Sequence, residues 1–252
     1  MYNDLLKLGP VTVHGYGLMI AIGILLALSI AGIRAKKKNL DPNVVFGLGL
    51  AVLVCGFIGA KLLYCLVDLG GFLKDPIRYI SGSGFVVYGG IIGGILAAVI
   101  YCKIKRVSFL QYFDLMAPSV AIAQGFGRIG CFLAGCCYGR ETDSFLGIVF
   151  QHSLYAPNGV KLLPTQLFSS AGDFLIAGIL LLFSRKSRID GKTGALYLVL
   201  YGVGRFIIEF FRNDYRGNIG FLSTSQFISI IIALAGLGLL LYKPNALAAE
   251  RQ

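Results

Sequence analysis

Seven apolar runs divide the chain: Val11–Ile33, Val44–Val67, Phe85–Cys102, Tyr112–Cys137, Thr165–Phe183, Ala195–Phe211 and Ser223–Tyr242. Runs of about 17 to 25 residues cross a bilayer core as helices. None shows the two-residue alternation, over about ten residues, that a spanning barrel strand requires. The pattern predicts an all-α integral membrane protein with about seven transmembrane helices, forming a single domain over residues 1–252. The longest connection, Tyr138 to Pro164, contains Gly139, Gly147, Pro157, Asn158 and Gly159. Such residues predict a turn-rich cap over 138–164, between the fourth and fifth spans.

Composition sharpens this picture. The chain is 56% hydrophobic and 14% charged, where a soluble domain carries about 25% charge. Its mean hydropathy of +0.77 excludes a soluble globular fold. The net charge of +11 fits loops that face anionic lipid. No basic stripe interleaves with polar or aromatic readers, so nucleic acid is not an expected partner.

The basic residues also set an orientation. One side collects Arg34, Lys36, Lys37, Lys38, Lys103, Lys105, Arg106, Arg185, Lys186, Arg188, Lys192, Lys243 and Arg251. The other collects Lys7, Lys74, Arg78, Arg140, Lys161, Arg212 and Arg216. The richer side is the cytoplasmic one, which places the N-terminus and the cap outside and the C-terminus inside. No basic region precedes the first run, which predicts a retained span rather than a cleaved leader.

Gly89-Gly90-x-x-Gly93-Gly94 opens the third run, and Gly125, Gly127, Gly130 and Gly135 punctuate the fourth. Small residues at these spacings allow close helix contact. Of six cysteines, only Cys131, Cys136 and Cys137 cluster. Their spacing lacks the paired C-x-x-C pattern and the nearby histidine of a zinc site. No metal and no cofactor are therefore expected.

Three cations remain inside the spans. A mid-span charge costs at least about 2.5 kcal/mol, so it faces a partner or a wet cavity. Rising from the inner surface, Lys61, Arg128 and Arg205 stand about 25, 24 and 15 Å up their helices. Tyr16 and Tyr88 lie within about 8 Å of their outer ends. All map to the outer half of the membrane. Tyr201, Arg205, Glu209 and Arg212 share one helical stripe. Glu209 can neutralise Arg205, but Arg128 and Lys61 have no matching acid by this reckoning. Asp114 lies near an inner end, and Asp173 about 12 Å below the outer surface. Planar guanidinium donors in a low dielectric suit phosphate, so an anionic phospholipid head group is the expected ligand.

At these residues the sequence resembles the prolipoprotein diacylglyceryl transferase family, over almost its whole length. Gly127-Arg128-Ile129-Gly130-Cys131-Phe132, running on to Tyr138-Gly139-Arg140, is similar to the family signature. Pro164-Thr165-Gln166-Leu167-Phe168 resembles a second motif. Tyr201-Gly202-x-x-Arg205 through Glu209 to Arg212 resembles the sixth-span pattern. The resemblance implies transfer of a diacylglyceryl group from phosphatidylglycerol to the lipobox cysteine thiol of an exported prolipoprotein, on the outer face of a bacterial cell membrane. It implies Arg128, Arg205, Tyr88 and Tyr201 as catalytic residues. It implies Tyr16, Gly89, Gly90, Gly127, Gly139, Gln166, Glu209 and Arg212 as substrate-binding residues, which Lys61 joins by its depth, with the lipid and the precursor's signal peptide as partners.

The chain departs from the family pattern at several positions. Tyr88 stands where the family usually has histidine, Cys131 for asparagine, Cys136 for an acid, Leu163 for histidine and Ser169 for glutamate. These replacements keep open a paralogue with a different acceptor, or a non-catalytic protein that binds or translocates phospholipid. A transporter is disfavoured by the lack of an internal repeat and of a polar cluster at inner depth.

Overall fold

The computed structural model describes residues 4–8, 11–82, 84–187, 189–214 and 217–242. Arg188, Arg216, Lys243 and Arg251, used above for orientation, lie outside the described residues. The chain is mostly helical. In order it forms β1 (Asp4–Leu8), β2 (Val11–His14), α1 (Gly15–Lys37), α2 (Pro42–Val67), α3 (Leu69–Lys74), α4 (Pro76–Ser81), α5 (Val87–Lys105) and α6 (Phe109–Ala134). Next come β3 (Ile148–Val149), β4 (Lys161–Leu162), α7 (Thr165–Lys186), α8 (Lys192–Glu209), β5 (Asn218–Ile219), β6 (Leu222–Ser223) and α9 (Thr224–Leu241). Five helices, α1, α2, α5, α7 and α9, are long and apolar enough to cross a membrane.

Three antiparallel hairpins, β1–β2, β3–β4 and β5–β6, were not legible in the hydrophobic pattern. The first moves the start of the first helix from Val11 to Gly15, because Val11–His14 pair as a strand. The fourth helix stops at Ala134 rather than Cys137, because Gly135 takes a left-handed φ of +74°.

Contacts group the chain into two compact units. One holds Ala31–Tyr112, the other Met1–Ile30 and Phe113–Gln252. In the first, α2 and α5 pack backbone to backbone. A Cβ on Gly59 would collide with the Gly89 carbonyl, and one on Gly93 would lie 2.5 Å from the Cys55 carbonyl. The same two helices leave Phe57, Leu66 and Ile104 at 68%, 64% and 72% exposure. Apolar surface on that scale is stable only against lipid or protein. Aspartates cap three helix starts: Asp41 at α2 accepts from the Asn43 amide at 2.8 Å, Asp68 at α3 from Gly71 at 3.0 Å and Asp75 at α4 from Arg78 at 3.1 Å.

In the second unit, Gly130 lets α1 approach α6, its absent Cβ lying 3.1 Å from the Tyr16 carbonyl oxygen. Gly202 and Gly236 do the same for α8 against α9. Ala117, Ala121, Ala177, Leu180 and Tyr197 join α6, α7 and α8 in one buried cluster. Buried Asp114 accepts from the Gly191 and Gly194 amides at 2.9 and 2.6 Å, capping α8. Residues 138–164 carry their own small core of Phe150, Ala156 and Leu162.

Gly59→Ala drives a methyl group into backbone and is expected to cost about 1–3 kcal/mol of stability. Gly70→Ala meets open space and should stay within about 0.5 kcal/mol. Thermal unfolding in detergent distinguishes the two; equal midpoints would contradict the close packing.

Candidate functional site

A cavity of about 220 Å³ opens within the second unit. At about 30 Å³ per water, it has room for roughly seven. Helix α6 contributes Arg128, α7 contributes Ser169, Gly172 and Asp173, and α8 contributes Tyr201, Gly204 and Arg205. Phe168, Ile176, Ile207 and Ile208 supply the apolar wall.

Both Arg128 and Arg205 meet at this cavity. Arg205 divides its guanidinium. Nη2 donates to Ser225 Oγ at 2.9 Å and lies 2.8 Å from Glu209 Oε2. Nη1 is buried and finds no hydrogen-bond partner among the described residues. Arg128 makes no hydrogen bond or ion pair there with another described residue; Tyr201, Cys131 and Asp173 act on it only electrostatically. A buried charge without full pairing is costly, and the cavity is where an anion would complete it.

Glu209 ties α8 to α9, accepting from Ser223 Oγ at 3.1 Å. Ser223 in turn caps α9, in a reciprocal box with Gln226. Arg212 lies just beyond α8. It is 3% exposed rather than at a water interface. Its Nε and Nη2 donate to Asp214 at 2.8 and 2.6 Å. Burial works against that charge, but the Asp214 carboxylate outweighs it and pushes the Arg212 pKa up.

Other candidate residues take structural partners. Gly139 pairs with Arg212 in a β-bridge and donates its amide to Leu163 at 3.0 Å. No side chain fits there, since a Cβ would lie 2.6 Å from the Leu163 carbonyl. Gln166 Nε2 donates to the Cys136 carbonyl at 2.7 Å. Gly127 faces open space, whereas Tyr16 packs on Gly130. Tyr201 stacks on Tyr197 with centroids 5.7 Å apart. In the first unit, Gly89 and Gly90 lie against α2, and Tyr88 is 40% exposed at the start of α5. Lys61 Nζ donates to the Gly82 and Gly84 carbonyls at 2.6 and 3.2 Å and lies 4.7 Å from the Phe85 ring centroid. That ammonium fastens the segment ahead of α5.

Sequence reasoning missed Asp173. It shares the cavity with both arginines and feels their charge. Counted from the observed end of α6 at Ala134, Arg128 lies about 9 Å deep, close to the 12 Å or so of Asp173. The sequence signal was there: Asp173 is the lone acid in α7.

The family model for prolipoprotein diacylglyceryl transferase matches residues 3–242. The chain belongs to this family. The phosphatidylglycerol–prolipoprotein diacylglyceryl transferase of Clostridium tetani is 47% identical over 234 residues, covering 92% of this chain and 94% of that one. Transferase 2 of Clostridium perfringens is 43% identical, covering 95% and 94%. The Finegoldia magna transferase is 32% identical, covering 94% of each. The arginine-lined cavity of this family member is flanked by Gly172 and Gly204, both with open space where a Cβ would stand.

Gly204→Leu fills that space. Its affinity for a short-chain anionic phospholipid should fall at least about tenfold, or 1.4 kcal/mol. The midpoint of unfolding should hold or rise, because leucine favours helix over glycine by roughly 0.5–1 kcal/mol. Unchanged affinity, by titration calorimetry, would remove the cavity from lipid binding.

Proposed function

We propose that this protein transfers a diacylglyceryl group from phosphatidylglycerol to the lipobox cysteine thiol of an exported prolipoprotein. The observation that carries the reading is the incomplete pairing of Arg128 and Arg205 at one cavity. A phosphodiester offers what those guanidiniums lack: two anionic oxygens within a low-dielectric wall.

The chemistry asks little else of a cation. The thiolate sulfur forms a bond to the glyceryl carbon, and that carbon's bond to the phosphate oxygen breaks. Glycerol phosphate leaves with the electron pair, and the thiol proton goes to a base or to solvent. Charge grows on the departing phosphate, so donors fixed in advance around it lower the barrier. Arg128 and the open edge of Arg205 suit that task. Asp173 lies beside both and keeps them from repelling each other fully. Tyr201 contributes a hydroxyl able to donate to a phosphate oxygen. Arg212, already bidentate with Asp214, acts by holding the 138–140 segment. Tyr88 is assigned to the reaction on its place in the family motif, Tyr16, Gly89 and Gly90 to binding on the same ground, and Lys61 to binding on its depth in the second run alone.

The seven long helices are read as seven crossings, with the N-terminus outside. The last turns of α1, α5 and α7 all carry lysine or arginine, which supports placing those ends in the cytoplasm. That arrangement puts residues 138–164 and the cavity in the outer half of the bacterial cell membrane, where exported precursors arrive.

Reconstitution with phosphatidylglycerol and a lipobox peptide tests this directly. Mass spectrometry should detect the diacylglyceryl thioether, and Arg128→Ala should lower kcat/KM by about 10²- to 10³-fold. A thioether formed as fast by Arg128→Ala would overturn the assignment of the phosphate site. Lipid binding without any thioether would overturn the transferase reading.

A further inference from the structure

Cys131, Cys136 and Cys137 are not used by the reaction as drawn, yet the chain brings them to one point. All three sulfurs lie within 4.8 Å of one another. Cys131 sits in the last turn of α6, and the helix ends three residues later. The reversal that follows needs two left-handed residues, Gly135 at φ +74° and Cys137 at φ +61°. The first is free for glycine, but the second is an uncommon conformation for cysteine. Strained backbone of this kind persists where the surroundings fix it, and it collects at functional positions. Thr165 and Gln166 of α7 hold the reversal from behind, donating to the Cys137 and Cys136 carbonyls at 2.9 and 2.7 Å.

We propose that Cys131, Cys136 and Cys137 form a binding site for one soft divalent cation, zinc in the first instance, as three thiolate ligands. Tetrahedral zinc with Zn–S bonds of about 2.3 Å places its sulfurs roughly 3.8 Å apart. Sulfurs within 4.8 Å of one another are at most about 1 Å wider than that, and none of the three side chains is fully buried. Binding displaces the thiol protons to solvent. Three thiolates on a divalent ion leave one net negative charge. Arg128 and Arg212 are both near enough to the cluster to act on it electrostatically, which offsets that charge. One coordination position stays open for water or an added thiol.

The sequence pattern hid this site. C-x4-C-C matches none of the familiar zinc spacings because its geometry comes from the two left-handed residues, which spacing does not encode. Neither the lipid site nor the transferase activity is needed for the ion to bind, so the two proposals fail separately.

The test uses the full chain, purified in detergent under reductant and then desalted anaerobically. Titration with Cd(II) should produce thiolate-to-metal charge-transfer absorption in the ultraviolet, saturating at one ion per chain. Zn(II) should abolish it by competition. The band should be lost in Cys136→Ser and kept in Cys55→Ser and Cys65→Ser. Should Cys136→Ser misfold, the unaltered protein still decides the matter. Zn(II) should protect Cys131, Cys136 and Cys137 from iodoacetamide, read by peptide mass spectrometry, and leave Cys55 and Cys65 labelled as before. Equal labelling with and without Zn(II), a Cd(II) band retained in Cys136→Ser, or a disulfide among the three in the reduced protein would each overturn the site.

Discussion

A buried guanidinium has to be paired, and among the described residues Arg205 is paired on one side only. Its Nη2 is held by Ser225 and Glu209, while Nη1 is buried and has no hydrogen-bond partner among the described residues. Much of the second unit follows from that arrangement. Ser225 lies in α9, so α9 must approach α8 closely, and Gly202 and Gly236 remove the side chains that would prevent it. Glu209 accepts from Ser223, whose capping box with Gln226 starts α9 at the required place. Helix packing, capping and charge placement thus all serve one side chain.

The same economy appears in the acids. There are twelve Asp and Glu residues against twenty-three Lys and Arg. Asp41, Asp68, Asp75 and Asp114 are spent on the amides at helix starts. Glu209 and Asp214 are committed to Arg205 and Arg212. Asp173 is the one acid left at the cavity, facing two guanidiniums. One carboxylate facing two cations leaves the cavity short of negative charge, which the proposed anionic ligand would supply. In a low dielectric, that imbalance is felt strongly.

The long helices were legible because a bilayer forces each crossing to be a continuous apolar run. Arg128 and Arg205 were legible as a site because a charge in such a run needs a reason. The hairpins were not, since two-residue strands such as Ile148–Val149 leave no periodic trace. Asp173 was set aside because Arg128 was reckoned upward from the inner end of its run and Asp173 downward from the outer end of its own, two scales that only the fold brings together. Lys61 looked like Arg128 in sequence but finds its partners in the Gly82 and Gly84 carbonyls, acceptors that any residue type offers and no pattern reveals. Gly139 was legible as a special position, although the Leu163 carbonyl that requires it is known only from the fold.

On the proposed reading, family membership supplies the reaction and the half-paired arginines the place where a phosphate would be held. Phosphorus-31 NMR of phosphatidylglycerol in nanodiscs containing the protein examines that place most directly. A shifted, exchange-broadened resonance from the bound phosphodiester should appear with the unaltered chain. It should vanish in Arg128→Gln combined with Arg205→Met, at unchanged helical content. A bound resonance that persists in the double variant would contradict the account.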